Sequence, residues 1–324
     1  MRNIIYIINP VSGTKKNKDL KAFIEKKTTD QKISFQIFPS VASGDYSFLR
    51  PIIKEKSITD VVIAGGDGTV SQVVGSLMDC DVNFGIIPCG SGNGLAFAAK
   101  IPKKLNGAFD IIFNGKAVAI DGFYANDHFA CMLCGLGFDA GVAHDFADQP
   151  KRGLATYARL AIKKFFSMKP YRFQLQLQHT IIDTDAYFIS VANSNQFGNN
   201  FTIAPRASLS DGLLDIVIVT SKNKIGFLWH TLKQLAGWNK LLQKESFGHV
   251  SSFIMEPGDR PPARLNHSGG DGKVQPGVIY FQTENLNIIN TSNAPMHIDG
   301  EPAETVTALK IAVKKKCFRL LQPV

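Results

Sequence analysis

A chain of 324 residues is too long for one ordinary hydrophobic core and comfortable for two domains. No apolar run approaches the roughly 20 residues of a membrane-spanning helix, and Met1-Arg2 leads straight into a strand, which is no signal peptide. The five cysteines lack a disulfide-like pattern and point to a reducing compartment, and 36 Lys and Arg against 27 Asp and Glu give a net charge of +9 that draws the chain toward anionic surfaces.

Asn3 to Ile8 is an apolar strand running into the polar turn Asn9-Pro10-Val11-Ser12-Gly13-Thr14. Asp60-Val61-Val62-Ile63-Ala64 is a β-branched run of the kind buried in a parallel sheet, and it opens into Gly65-Gly66-Asp67-Gly68-Thr69. Val70, Val73, Val74 and Leu77 then recur at helical spacing, so this turn ends at a helix N-terminus. Unpaired N–H groups and the positive end of the helix dipole can hold a phosphate there, glycines let the backbone approach closely, and Asp67 is left for a metal or a proton. Asn83 to Ile87 repeats the arrangement, with Pro88-Cys89-Gly90-Ser91-Gly92-Asn93-Gly94 and the helical Leu95 to Ala99. One such turn would serve equally as a plain tight turn. Three on the carboxyl edge of one parallel sheet describe a phosphate cradle.

Up to about Gly115 strands alternate with helices, the pattern of βαβ units. From about Lys116 strands dominate, at Ala117 to Ile120, Phe129 to Leu133, Phe173 to Leu177, Tyr187 to Ala192 and Leu214 to Val219, with helices expected at Leu154 to Ser167 and near Ile225 to Lys240. The fold class is therefore α/β plus β: a doubly wound nucleotide domain over residues 1–120, a sandwich-like β domain over 121–302, and a cleft between them. Cys131-Met132-Leu133-Cys134 has redox or zinc spacing, but without a second pair it reads as a buried strand. Lys163-Lys164-Phe165-Phe166-Ser167-Met168-Lys169 interleaves cations with apolar groups, as an interfacial helix does, or as a helix with one buried and one solvated face does. Lys314-Lys315-Lys316 reads as a solvated run. Glu256 to Gln275 is rich in Pro and Gly, and its second Gly-Gly-Asp-Gly at Gly269 to Gly272 has neither strand before it nor helix after it, so it reads as an exposed loop without chemistry.

Spacing excludes two familiar cradles. A P-loop needs Gly-x-x-x-x-Gly-Lys-Ser/Thr, which Ser12-Gly13-Thr14-Lys15 does not supply, and the dinucleotide fingerprint fails at Leu95 counted from Gly90 and at Ser71 counted from Gly66. The motifs resemble, in order and at about their spacing, those of the diacylglycerol kinase catalytic family, which includes sphingosine and other long-chain-base kinases and bacterial lipid kinases. They are Asn9-Pro10 with Ser12-Gly13, Gly65 to Thr69, Gly90-Ser91-Gly92-Asn93, and Gly135-Leu136-Gly137-Phe138-Asp139-Ala140. Ala204-Pro205 with Asp211-Gly212-Leu213-Leu214-Asp215, and Asp299-Gly300-Glu301, complete the set.

This resemblance implies an ATP- and Mg²⁺-dependent lipid kinase that phosphorylates a hydroxyl of a diacylglycerol or a sphingoid base. It also implies a nucleotide domain of the NAD kinase and phosphofructokinase type, to which about residues 303–324 return. The alternatives are an NAD kinase-like small-molecule kinase, which shares the Gly-Gly-Asp-Gly-Thr turn, and a catalytically silent nucleotide- or lipid-binding regulator. The implied nucleotide site comprises Asn9, Pro10, Ser12, Gly13, Gly65, Gly66, Asp67, Gly68, Thr69, Gly90, Ser91, Gly92, Asn93 and Asp299. Ser43 joins it from Ser40-Val41-Ala42-Ser43-Gly44-Asp45-Tyr46, which stands where the family carries Thr and His. Glu301 is the implied carboxylate for the proton of the lipid hydroxyl, with Asp67 its rival and better suited to a metal. Asp139 is implied to reach the polar head of the substrate, a buried strand-end carboxylate being the duller alternative. Asp211 is implied to sit on Mg²⁺ with backbone carbonyls of Ser208 and Leu213. Most bacterial diacylglycerol kinases carry Gly-Thr-x-Asn-Asp where this chain has Gly90 to Gly94, so one acidic side chain is missing and the segment looks more like the long-chain-base branch. The expected partners are a lipid substrate at a membrane surface and anionic lipids, not nucleic acid. A homodimer is among the expected states, and the expected location is cytoplasmic and peripheral at the inner membrane surface.

Overall fold

The computed structural model describes residues 2–12, 19–149, 154–177, 180–198, 201–220, 253–255 and 278–324. Gly13, the helix expected near Ile225 to Lys240, and the Glu256 to Gln275 loop with its second Gly-Gly-Asp-Gly lie outside the described residues. The first third alternates β1 (Asn3–Ile8), α1 (Leu20–Asp30), β2 (Ser34–Pro39), α2 (Leu49–Glu55), β3 (Asp60–Gly65), α3 (Asp67–Leu77), β4 (Asn83–Pro88), α4 (Gly94–Ala98) and α5 (Leu105–Asn114). Its strands run parallel in the order β2-β1-β3-β4. Helices cover both faces, so Val61, Val62, Ile63 and Ala64 of β3 are all fully buried. Ile5, Ile7, Val61 and Ile63 share one core with Leu49 of α2 and Val70, Val73 and Val74 of α3, while Ile4, Tyr6, Val62 and Ala64 share another with Ile24 of α1 and Phe109 of α5. Because β1 leads to β2 on one side and adjoins β3 on the other, the winding reverses between β1 and β3. Such a reversal opens a crevice at the carboxyl ends of the strands.

The remainder comprises β5 (Lys116–Ala125), β6 (His128–Ala130), β7 (Leu133–Gly137), α6 (Phe138–Ala147), α7 (Leu154–Ser167), β8 (Tyr171–Leu177), β9 (Thr180–Ala186), β10 (Phe188–Ala192), β11 (Gln196–Gly198), β12 (Phe201–Thr202), β13 (Leu214–Val219), β14 (Phe253–Met255), β15 (Val278–Thr283), β16 (Asn285–Asn290), β17 (Met296–Ile298), β18 (Glu301–Ala303) and β19 (Ala308–Gln322). The strands do not sort by half of the chain. β19 pairs parallel with β4 at Arg319 and Leu320 and antiparallel with β5 and β16, and through β16 the first sheet extends to β8 and β9. A boundary at residue 120 therefore cuts β5 and does not separate two sheets. The second sheet runs β14-β15-β13-β10-β7-β17-β18.

Both faces of this second sheet are covered, which explains why β7, β10 and β13 are buried along their whole lengths. Ile216 and Ile218 pack with Leu175, Ile288 and Ile311 of the extended first sheet, forming the sandwich. Val217 and Val219 belong instead to the core shared with α3. Two local expectations are corrected. The strand expected over Phe129 to Leu133 is broken at Cys131 and Met132, because the N–H groups there bond a carboxylate described below. Helix α6 has no counterpart in the sequence reading, since Gly137 at φ +100 turns the chain abruptly out of β7 and the helix that follows has little amphipathic period.

A bulge makes β19 able to serve both sheet halves. Its register with β5 shifts between Lys314 and Phe318, and Lys316 adopts φ +47. Asp121 of β5, fully buried, fills that bulge by accepting the Lys316 N–H at 2.6 Å and the Gly212 N–H at 2.7 Å. Asp121→Ala should leave the buried Gly212 N–H and the half-buried Lys316 N–H without their acceptor and lower unfolding stability by about 1–3 kcal/mol. Denaturant titration checks this, and an unchanged midpoint would mean that Asp121 is not the brace of the bulge.

Candidate active site

The three turns close on one another at the carboxyl edge of β1, β3 and β4. Asn9 donates from Nδ2 to Thr69 Oγ1 at 2.8 Å and accepts the Val11 N–H on Oδ1 at 3.0 Å, while Ser12 Oγ donates to the Asn9 carbonyl at 3.0 Å. Asn9 is thus a clasp between the first turn and the start of α3, with Pro10 exposed beside it. Gly66 and Gly90 meet backbone to backbone, since a Cβ on Gly90 would lie 2.5 Å from the Gly66 Cα. Gly65 is also confined, its Cβ falling 2.8 Å from the Thr69 Cβ. The N-cap of α3 is Gly66, in extended conformation and without a side-chain cap. The first-turn N–H groups of α3 therefore have no acceptor within the helix, which is the donor set a phosphate uses.

Asp67 does not stand free beside those donors. Its Oδ2 accepts the Gly94 N–H at 3.0 Å and its Oδ1 the Leu95 N–H at 3.2 Å, so a carboxylate from α3 caps α4. The expectation that the third turn offers its own helix N-terminus to a phosphate is corrected by these bonds. Asn93, buried at φ +55, closes that turn by accepting the Gly90 N–H and donating to the Gly90 carbonyl, both at 2.7 Å. Ser91, at the tip, is exposed. Burial pushes the Asp67 pKa up to about 6, opposed by the two N–H bonds and reinforced by the nearby Asp299 charge.

Strands β17 and β18 form a hairpin in which Ile298 pairs with Glu301, and Asp299 (φ +48) and Gly300 (φ +81) are both left-handed. This is the type I′ geometry that favours Asp-Gly. The Asp299 carboxylate is buried and accepts the hydroxyl of Ser71 from α3, together with the N–H groups of Cys131 at 2.9 Å, Met132 at 3.0 Å and Leu133 at 2.8 Å. Burial raises its pKa against those bonds. Four donors on two oxygens fill the lone pairs of the carboxylate, so the implied nucleotide contact at Asp299 gives way to a bracing role. Glu301, one residue past the turn, is exposed and lies over the start of α3: a Cβ on Gly68 would fall 2.9 Å from Glu301 Cγ and 3.4 Å from its Oε1. Gly68 is the residue that lets this carboxylate approach the N-terminus of α3.

Asp139 begins α6 and is buried, its Oδ1 accepting the Ala140 N–H at 2.8 Å and its Oδ2 lying 3.2 Å from His297 Nε2. Ser43 is exposed in the β2–α2 connection and accepts the Asp45 N–H at 3.3 Å. Asp211, in the loop before β13, accepts the Leu213 N–H at 3.1 Å, and burial, helped by the Asp121 charge, raises its pKa. Ser208 lines a shallow cavity with Asn195, Leu209 and Ser210. Among the described residues no group of three or more His, Cys, Asp or Glu is arranged to hold a metal. In α7, Lys164 turns inward to the Gly141 carbonyl and to Asp145, each at 2.8 Å, and Phe165 is buried against Phe138, leaving Lys163 and Lys169 exposed. Sequence reasoning missed Ser71, His297 and Asp121. Ser71 carries no local signal, whereas His297 stands two residues before the Asp299-Gly300-Glu301 motif and could have been found there.

Residues 3–125 match the diacylglycerol kinase catalytic domain, and residues 133–239 match the YegS C-terminal NAD kinase beta sandwich-like domain. A protein of Citrobacter koseri described as a probable lipid kinase YegS-like is 28% identical over 213 residues, covering 63% of this chain and 71% of that protein. One of Enterobacter sp. (strain 638) with the same description is 30% identical over 183 residues, covering 54% of this chain and 61% of that protein. A crystal structure described as a putative diacylglycerol kinase from Bacillus anthracis str. Sterne superposes with a TM-score of 0.73 at 17% identity, over 99% of this chain and 97% of that one, and so shares the fold. Residues 3–125 therefore carry a diacylglycerol kinase catalytic domain, and the chain is a kinase.

Folded Asp67 keeps its proton to about pH 6, whereas an unfolded aspartate releases it near 3.8, so wild-type protein loses stability as pH rises across that window. Asp67→Ala lacks that slope. Melting curves should show the advantage of wild type over the variant shrinking between about pH 4 and about pH 6. An advantage that grows with pH would mean that burial does not raise this carboxylate.

Proposed function

We propose that this protein transfers the γ-phosphoryl group of ATP to a hydroxyl of a diacylglycerol or a sphingoid base presented at a membrane surface. The observation that carries this reading is the Glu301 carboxylate lying over Gly68, at the N-terminus of α3. Phosphoryl transfer asks a protein mainly to align an alcohol oxygen with the phosphorus and to neutralise charge. The first-turn N–H groups of α3 and the glycine floor of Gly66 and Gly90 hold and orient the phosphates. Glu301 takes the proton of the acceptor hydroxyl as its oxygen attacks. Asp139 orients the polar head of the acceptor.

The N-terminus of α3 fits a nucleotide polyphosphate, because its first-turn N–H groups have no acceptor within the helix, and it fits Mg²⁺, because the carboxylates of Asp67 and Glu301 offer hard oxygens beside it. Asp67 would hold that ion, each of its oxygens having accepted one N–H bond in the structure. Mg²⁺ supplies charge neutralisation on the transferring group when bound. A second Mg²⁺ would be held by Asp211 with backbone oxygens of Ser208 and Leu213, relieving the repulsion from Asp121 that helps raise the Asp211 pKa. No described helix is long and apolar enough to cross a membrane. Contact with anionic lipid at the inner membrane surface falls to the outward face of α7, through Arg159, Ile162, Lys163 and the Lys169 that follows.

Incubation of purified protein with labelled ATP, Mg²⁺ and a panel of diacylglycerols, monoacylglycerols, sphingoid bases and ceramides in mixed micelles tests the reading and names the acceptor. Glu301→Gln should lower kcat and kcat/KM together by about 10²–10⁴-fold. ATP affinity by calorimetry should stay near wild type. A variant that keeps most of its single-turnover rate would pass the proton role to Asp67.

A further inference from the structure

His297 lies between the two sides of the proposed reaction. It sits on β17, 2% exposed, with Nε2 at 3.2 Å from Asp139 Oδ2 and with Nδ1 accepting the Gly300 N–H at 3.3 Å. Because Nδ1 accepts, the proton of the neutral ring is on Nε2, which donates it to Asp139. The space for this pair is kept by the glycine that faces it. A Cβ on Gly135, which pairs with His297 across β7 and β17, would fall 2.2 Å from Asp139 Oδ2 and 2.3 Å from His297 Nε2. The same hairpin is tied to α6 a second time, through His144 Nε2 at 2.9 Å from the Met296 carbonyl.

We propose that His297, as the Nε2–H tautomer, is a positioning residue that sets the acceptor-orienting Asp139 and the proton-accepting Glu301 in register with each other. One ring nitrogen holds the carboxylate that begins α6, and the other holds the backbone N–H of the residue immediately before Glu301. The imidazole is rigid and buried, with one ring nitrogen on each of these two partners. It fixes the spacing between the place where the acceptor head is bound and the carboxylate that takes its proton. This inference rests on the kinase reading above for the roles of Asp139 and Glu301, and its hydrogen-bond geometry stands apart from that reading.

Two substitutions divide the two bonds. Asn at 297 places an amide oxygen near the Nδ1 position and keeps an acceptor for Gly300, whereas Gln reaches with its amide N–H toward Asp139. His297→Asn should raise the acceptor KM by about tenfold with kcat largely kept, since a charge-assisted hydrogen bond is lost on the binding side. His297→Gln should keep the acceptor KM and lower kcat by about 10²-fold, the cost of misplacing a reacting group by about 1 Å. ATP affinity by calorimetry should match wild type in both. Equal changes in KM and kcat in the two variants, or none in either, overturn the proposal. In wild-type protein without substrate, long-range ¹H–¹⁵N spectra should show His297 as the Nε2–H tautomer, and the Nδ1–H form would overturn it whether or not either variant folds. If wild type phosphorylates no lipid while the Nε2–H tautomer is present, the kinase reading fails and the geometry does not.

Discussion

The arrangement depends on one buried carboxylate. Asp299 has lost its water, a cost visible in its raised pKa, and that loss is offset by Ser71 and by three consecutive N–H groups, of Cys131, Met132 and Leu133. These partners come from α3, from the break between β6 and β7 and from the first residue of β7, so a single side chain joins α3 to the second sheet. Because it sits in a two-residue type I′ turn, the neighbouring residues have little freedom to wander. Glu301 is thereby presented over Gly68, and Gly300 is presented to His297. The site carboxylate is exposed, and its rigidity is borrowed from the one beneath it.

The packing gives that turn a firm base. β7, β10 and β13 are buried on both faces, one against the sandwich and the other against the core that contains α3. A carboxylate at the end of β17 can therefore be held with little play, because the strand beside it cannot tilt without disturbing two cores. The long β19 adds a second tie, passing from β16 to β4 through the bulge that Asp121 fills. The elements that carry Glu301, Asp139 and the α3 N-terminus are tied through shared sheets and cores, which suits a reaction governed by alignment more than by covalent work.

Much of this was legible in the sequence where the physics is local. The β-branched runs of β1, β3 and β4, the glycines behind them, and the 3.6-residue period of α3 are short-range signals, and the structure places them on one sheet edge. Helix α7 and strand β13 fall where Leu154 to Ser167 and Leu214 to Val219 were read. Contacts made across long separations were not legible. Ser71 and Asp299 are 228 residues apart, and nothing around Ser71 sets it off from any helical serine. Asp67 read as free for a metal or a proton because the N–H groups that its carboxylate caps, of Gly94 and Leu95, belong to another turn. The extension of the first sheet through β16 to β8 and β9 follows from pairing, and alternation along a strand does not reveal its neighbours.

Asp299 acts as a brace for the Glu301 hairpin and not as a nucleotide ligand. Amide hydrogen exchange on Asp299→Ala beside wild type tests it most directly. Protection at Cys131, Met132 and Leu133 should collapse along with that of the hairpin, while the β1, β3 and β4 amides keep theirs and ATP affinity stays within a few-fold of wild type. Undiminished protection at those three amides, with ATP affinity lost, would contradict it.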